Sequence, residues 1–263
     1  SYRNCPLAYQ FGYHWRLGEP EGPALTIGSV LHAVLEDYHR PGSALPRTRE
    51  ALESLLELHF EEAAFRHRPI ARQARRTLGE MLDAYYGRYG QSATVLAVER
   101  SFHFAFGPHL ITGFIDRVDR LPEGNLELID YKTGSPMSKA EARDDLQLAL
   151  YELAFHEDAN LQTLGRPAQV SYLYLRSIGP KADGKRSYAP TDEARARLRK
   201  KLQYYADGIL GERFPLGHSL AQASPGLDPA DLELVLGRPT RDPCRLCGFG
   251  WVCPEMGKGA GLE

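Results

Sequence analysis

LITGFIDRVDRLPEGNLELIDYKTG, residues 110–134, holds two β-rich runs on either side of a Pro-Glu-Gly-Asn segment. Runs of this kind around a turn-forming cluster predict a β-hairpin with a loop of about five residues. Centred near Glu123, the hairpin sets Asp116 opposite Asp130. Directly opposed side chains on one sheet face stand roughly 5 Å apart at Cβ. Lys132 shares that face because side chains alternate with period two, and Ile129 and Tyr131 point the other way, into the core. Two carboxylates this close repel unless one is protonated or a cation lies between them. One adjacent lysine is a weak remedy, so the pattern implies a divalent metal and a centre suited to phosphodiester chemistry.

The residues around this hairpin predict a mixed sheet with helices about it. Upstream, VLAVERSFHFAF alternates as a strand, with Val98, Phe102, Phe104 and Phe106 on one face and Glu99, Ser101 and His103 on the other. Glu99 reads equally as a support to the metal centre or as a solvent-facing residue. Cys5-Pro6 opens an aromatic, amphipathic helix, a loop follows over 18–23, and Thr26 to His39 reads as a second helix with an apolar face. Two more helices are expected over about 48–67 and 70–89. Downstream, Ala140 to Asn160 has helical spacing, Gln169 to Ser177 is a strand followed by a polar Gly-Pro-Lys loop, and Thr191 to Leu210 is a long helix. The order helix, three-stranded meander, helix, strand predicts an α/β sandwich. No Walker-type phosphate loop is present, so ATP hydrolysis is not expected.

At 263 residues the chain is long enough for one domain, or one domain with a helical insertion. The expected division is a single domain over 1–263 with a helical subdomain at about 43–92, a catalytic sheet core at 94–177 and a cysteine-rich segment at 240–255 closing on Cys5. A net charge of −2 argues against a general polyanion-coating protein. It leaves room for a local basic groove, for which Arg72, Arg75 and Arg76 on one helix and Arg195, Arg197, Arg199, Lys200 and Lys201 on another are candidates. No apolar run is long enough for a membrane span and no secretory signal is visible, so a cytoplasmic protein without membrane contact is expected. Ser1 opens the chain without methionine, as a trimmed chain or an excised domain would.

Four cysteines mark the two ends. Cys244, Cys247 and Cys253 form C-x2-C-x5-C, and Cys5 lies far from them in sequence. The tight C-x-x-C and the lack of a signal favour metal ligation over disulfides. Thiolate sets select zinc or iron–sulfur clusters. Four-cysteine zinc sites usually carry two close pairs, and this chain has one, so the spacing leaves the metal open. Either centre would clasp the two ends of the chain.

Further residues join the hairpin in a recognisable order. His32 lies in GSVLHAVLE on the second helix, and Gln147 and Tyr151 are spaced i, i+4, so they point the same way from a later helix. The series Cys-Pro near a helix start, G-x-x-x-H-x-x-L-E, G-x-x-D, I-D-Y-K-T-G, Q-x-x-x-Y and a terminal cysteine triplet resembles the RecB-like branch of the PD-(D/E)XK nuclease superfamily. It is most similar to the iron–sulfur members, namely the AddB-type nuclease domains and the CRISPR-associated RecB-like exonucleases. Each motif is short, but their shared order from Ser1 to Cys253 is specific.

The resemblance implies a restriction-endonuclease-like α/β fold and a metal-dependent DNase, an exonuclease on single-stranded DNA or DNA ends, fused to or associated with a helicase. It implies that His32, Asp116 and Asp130, with the backbone carbonyl of Tyr131, ligate Mg²⁺ or Mn²⁺. Lys132 would orient the attacking water or stabilise developing charge. Gln147 and Tyr151 would position the strand or the site residues, and Cys5, Cys244, Cys247 and Cys253 would hold a 4Fe–4S cluster. Asp130 stands where many superfamily members carry Glu, a departure common in this branch. The competing expectation is a non-catalytic DNA-binding module stapled by iron–sulfur or zinc, for which an intact set of His32, Asp116, Asp130 and Lys132 would not be needed. A third is a thiolate-zinc protein with an acidic structural hairpin.

Overall fold

The computed structural model describes residues 5–18, 23–65, 67–90, 94–143, 145–215, 244 and 247–254. Its contacts divide the chain into two compact units, Gly22–Arg195 and Ser1–Glu21 with Ala196–Glu263.

The first unit is built on a five-stranded sheet in the order β1-β2-β3-β4-β5, formed by Thr94–Phe106, His109–Arg120, Leu126–Lys132, Pro167–Gly179 and Ala182–Tyr188. All neighbours are antiparallel except β3 and β4, which are parallel and are joined by a crossover carrying helices α5 (Lys139–Arg143), α6 (Leu146–Glu157) and α7 (Ala159–Gln162). The β2–β3 hairpin has the expected register, with Arg117 opposite Ile129 and Arg120 opposite Leu126. Its turn is closed by Leu121 N–H on the Asn125 carbonyl at 2.8 Å. Gly124 there sits at φ +89, a left-handed position that a Cβ disfavours.

On one face of the sheet, helices α2 (Pro23–His39), α3 (Arg49–His59) and α4 (Arg68–Tyr89) share a single core with Ile129, Tyr131, Leu173 and Leu175. The helical region expected at 43–92 is thus part of the same apolar cluster as the sheet. The opposite side of β3 turns to α6, where Tyr151 meets Asp130. This is the mixed, helix-flanked α/β architecture the hairpin implied.

Three expectations change. The helix expected over 140–160 is broken twice, because Asp145 and Asp158 each cap a new helix by accepting the N–H two residues on, Gln147 and Asn160. A short polar side chain that bonds the backbone locally competes with continued helix. The helix over 48–67 ends at His59, and a short 3₁₀ turn, Glu62–Ala64, follows. The Gly-Pro-Lys loop is present as a turn at 180–181, but the polar stretch after it, where no element is expected, turns back as edge strand β5. Its side chains meet polar partners, Lys185 with Glu127 and Arg186 with the Met137 carbonyl, so no apolar alternation announces it.

The second unit brings chain ends together. In it, α1 (Pro6–Tyr9) continues into a π-helical turn, Gln10–His14. Leu7 N–H bonds the Pro215 carbonyl, and the buried Phe11 ring packs edge-on against Phe249 with centroids 5.8 Å apart. Helix α8 (Asp192–Leu210) contributes most of its length to this unit. The expected cysteine segment at 240–255 is described at 244 and 247–254 only.

Candidate metal centre

The β2–β3 ladder stops at Arg117 and Ile129, one step short of Asp116 and Asp130. Beyond that step β2 pairs only with β1, and β3 continues only along β4, with Asp130, Tyr131 and Lys132 beside Tyr172, Leu173 and Tyr174. The sheet therefore forks at the two aspartates. The Tyr131 N–H, left without a ladder partner, donates to Asp116 Oδ2 at 2.7 Å. A fork gives room between two strands that a closed ladder would fill.

Helix α2 delivers His32 to this opening. Its Nε2 lies 3.2 Å from the Tyr131 carbonyl oxygen, and its Nδ1 lies 3.5 Å from Asp116 Oδ2 and 3.7 Å from Glu99 Oε1. A carbonyl only accepts, so Nε2 carries a proton. That fixes the tautomer and aims the Nδ1 lone pair of neutral His32 at the two carboxylates. Ligand atoms of His32, Glu99 and Asp116 all lie within 4.8 Å of one another, the group of this kind found among the described residues.

The structure thus brings Glu99 into the site, which the sequence reading left undecided. Its signal was the β1–β2 hairpin: Phe106 faces His109, and the same count sets Glu99 across from Asp116. Glu99 also holds φ +42, a left-handed conformation that costs a non-glycine residue about 1–3 kcal/mol. Gly113, of the G-x-x-D motif, is required for a different reason: a Cβ there would lie 2.5 Å from the Phe102 ring.

Asp130, Lys132, Gln147 and Tyr151 close a ring. Tyr151 O–H donates to Asp130 Oδ1 at 2.9 Å, Gln147 Nε2 donates to Tyr151 Oη at 3.1 Å, and Lys132 Nζ donates to Gln147 Oε1 at 2.8 Å. Lys132 Nζ returns to Asp130 Oδ2 at 2.7 Å, and it lies 4.8 Å from the centre of the Tyr172 ring. Asp145, which caps α6 by accepting the Gln147 N–H, also accepts from Tyr172 O–H and so fixes where the helix begins. Asp130 Oδ2 makes no well-aligned hydrogen bond, even to Lys132, and it is buried.

The electrostatics are those of a site short of positive charge. Burial, then the negative charge of Asp130, pushes the Asp116 carboxyl up to about 7. Burial also raises Asp130, against the pull of Lys132. For His32, burial works downward, but Glu99, Asp116, Asp130 and the Tyr131 carbonyl outweigh it and lift the imidazole to about 9. Tyr151 is raised by burial and the neighbouring carboxylates, so it stays a donor. Asp130 and Asp116 are 1% and 7% exposed, whereas the side chains of His32, Glu99 and Lys132 are each about a third open, so the cleft is entered past those three.

A second buried cluster adjoins the first. The Arg117 guanidinium pairs two-pronged with Asp119, and its Nη1 reaches the Tyr85 and Tyr131 hydroxyls and His39 Nε2. Burial, then the positive charge of Arg117, holds His39 down to about 2, so it is a neutral acceptor. The sequence reading did not single out Arg117 or Asp119. Their i, i+2 spacing in IDRVDR puts both on one inward face, which was the available sign.

The donor set fits a hard divalent cation, because the cleft offers carboxylate oxygens, one imidazole and a buried carboxylate oxygen, Asp130 Oδ2, that is ion-paired with Lys132. The four cysteines are half-buried, form no disulfide and lie in the same compact unit, although no three of their sulfurs come within 4.8 Å of one another.

A forked mixed sheet with two strand-borne aspartates, a lysine two residues past the second and a helical histidine makes a candidate metal site. The sequence matches the family model of the PD-(D/E)XK nuclease superfamily over residues 1–254, and the chain belongs to that superfamily. Membership implies metal-dependent nuclease activity on DNA. No curated protein matches the chain.

Proposed function

We propose that this chain is a Mg²⁺- or Mn²⁺-dependent deoxyribonuclease of the RecB-like branch, an exonuclease acting on single strands or DNA ends in repair or recombination. The observation that carries the reading is the fork, where His32, Glu99 and Asp116 converge and buried Asp130 Oδ2 has no aligned partner. His32, Asp116, Asp130 and Glu99 would hold the cation. The Tyr131 carbonyl uses one lone pair for His32 and keeps a second for the metal. When bound, the cation lowers the pKa of water, polarises the phosphoryl oxygen and offsets the charge of the transition state. Lys132, held between Asp130 and Gln147, places a positive charge where negative charge develops. Tyr151 and Gln147 fix the rotamers of Asp130 and Lys132.

The four cysteines, in this reading, hold a 4Fe–4S cluster, with zinc as the other candidate, and the chain works in the cytoplasm with a fused or associated helicase. Support comes from the unit that pairs the N-terminal turn with the C-terminal segment through Phe11 and Phe249. The decisive experiment is cleavage of end-labelled linear and closed circular single-stranded DNA with Mn²⁺ or Mg²⁺, by wild type and Asp130→Ala. Metal-dependent loss of the linear strand alone, abolished in the variant, is expected. Cutting of the circle would make it an endonuclease, and no cutting by cluster-loaded protein would leave a binding-only module.

A further inference from the structure

The β1–β2 hairpin continues past the fork as a two-stranded arm with one covered and one open face. On β1, Phe102 and Phe104 are buried while Ser101, His103 and Ala105 are exposed; on β2, Leu110, Thr112 and Phe114 are exposed. The register pairs Phe114 with Ser101, Thr112 with His103 and Leu110 with Ala105, so the exposed residues of both strands share one face. On β2, alternation carries this face along to Asp116, two residues, or about 7 Å, from Phe114.

Phe114 is the residue on this face that needs a reason. The residue is 59% exposed, and the small Ser101 stands across from it. An aromatic plane one step from a phosphate-handling cleft offers what a flanking base requires, because every base has a π-face that stacks without regard to sequence. In a duplex that face is occupied by neighbouring base pairs, whereas an unpaired strand leaves it free. We infer that Phe114 is a base-stacking platform for the nucleotide next to the phosphate held at Asp116 and Asp130. The inference rests on the nuclease reading and narrows its substrate to unpaired strands.

The test measures KM and kcat in Mn²⁺ for wild type, Phe114→Ala, Phe114→Leu and Phe114→Trp. Two single strands are used: an oligothymidylate and the same backbone with abasic residues. On the normal strand, the Ala and Leu variants raise KM about tenfold or more with kcat retained, and Trp stays near wild type. On the abasic strand all four proteins share one KM, since only a base senses the ring. A Leu variant equal to wild type, or an Ala variant that weakens both strands alike, overturns the platform while leaving the nuclease standing. No cleavage of either strand by wild type overturns the nuclease reading, and the platform with it. Thermal midpoints within the wild-type range in the three variants separate a lost contact from a lost fold.

Discussion

Asp116 and Arg117 are neighbours in the chain, as are Asp130 and Tyr131, yet each pair gives one residue to the metal cleft and one to the Arg117 cluster. The two clusters are both buried and both charged, and they differ in completeness. Around Arg117 the guanidinium is matched by Asp119, two phenols and a neutral histidine. At the fork, like charges face each other, two carboxyls and an imidazole are pushed upward, and one buried carboxylate oxygen lacks an aligned partner. A satisfied polar cluster holds strands in place; an unsatisfied one is poised for a ligand. Tyr131 joins them, since its hydroxyl is held by Arg117 while its peptide meets Asp116 and His32.

That contrast makes opposite demands on mutation. Asp130→Ala is expected to abolish metal-dependent cleavage, and Lys132→Ala to slow it by about 10²–10³-fold, with both variants folded. Removing Asp130 relieves repulsion with Asp116, so its metal-free thermal midpoint should equal or exceed that of wild type. Unfolding of either variant in circular dichroism would place these residues among the structural ones. Asp119→Ala should do the reverse, leaving Arg117 buried without its counter-charge and costing about 3–5 kcal/mol in urea unfolding. A variant as stable as wild type would erase the distinction between the clusters.

The pH dependence sharpens it further. Asp116 is raised from 3.8 to about 7 and His32 from 6.5 to about 9, so the folded metal-free protein holds protons that the unfolded chain releases. The Asp116 contribution therefore diminishes as pH rises from 3.8 through 7. That of His32 is full below 6.5 and is lost as pH rises through 9. A divalent cation needs both groups deprotonated. The rise in thermal midpoint given by saturating Mn²⁺ should grow between pH 6 and 9, and a rise independent of pH would remove His32 and Asp116 from the ligand set. The smallest effect is expected in the second unit, where Cys253→Ala should lower the thermal midpoint by loosening the C-terminal segment while Mn²⁺ affinity stays unchanged. An unaltered midpoint would end the idea of a clasp.

Much of the sheet was legible because hairpins obey arithmetic. Turn chemistry at Pro122–Asn125 and period-two alternation set the β2–β3 register, and the structure has it. The same count applied to the β1–β2 turn sets Glu99 across from Asp116, a choice that the alternation of β1 alone leaves open. Strand β5 was not readable, because its polar side chains are matched by Glu127 and the Met137 carbonyl, partners far along the chain. The breaks at Asp145 and Asp158 were obscured by apolar spacing that persists through both caps.

By itself the sequence determined which residues are chemically able to hold a metal and on which elements they ride, because local periodicity and turn residues act within a few positions. Only the tertiary structure decided that the sheet forks one step beyond Arg117 and Ile129, that His32 presents Nδ1 rather than Nε2 to the carboxylates, and that Lys132 is held by Gln147. Those outcomes depend on contacts between residues 99 and 15 positions apart. Packing selects such contacts once the elements meet, and no local rule specifies them.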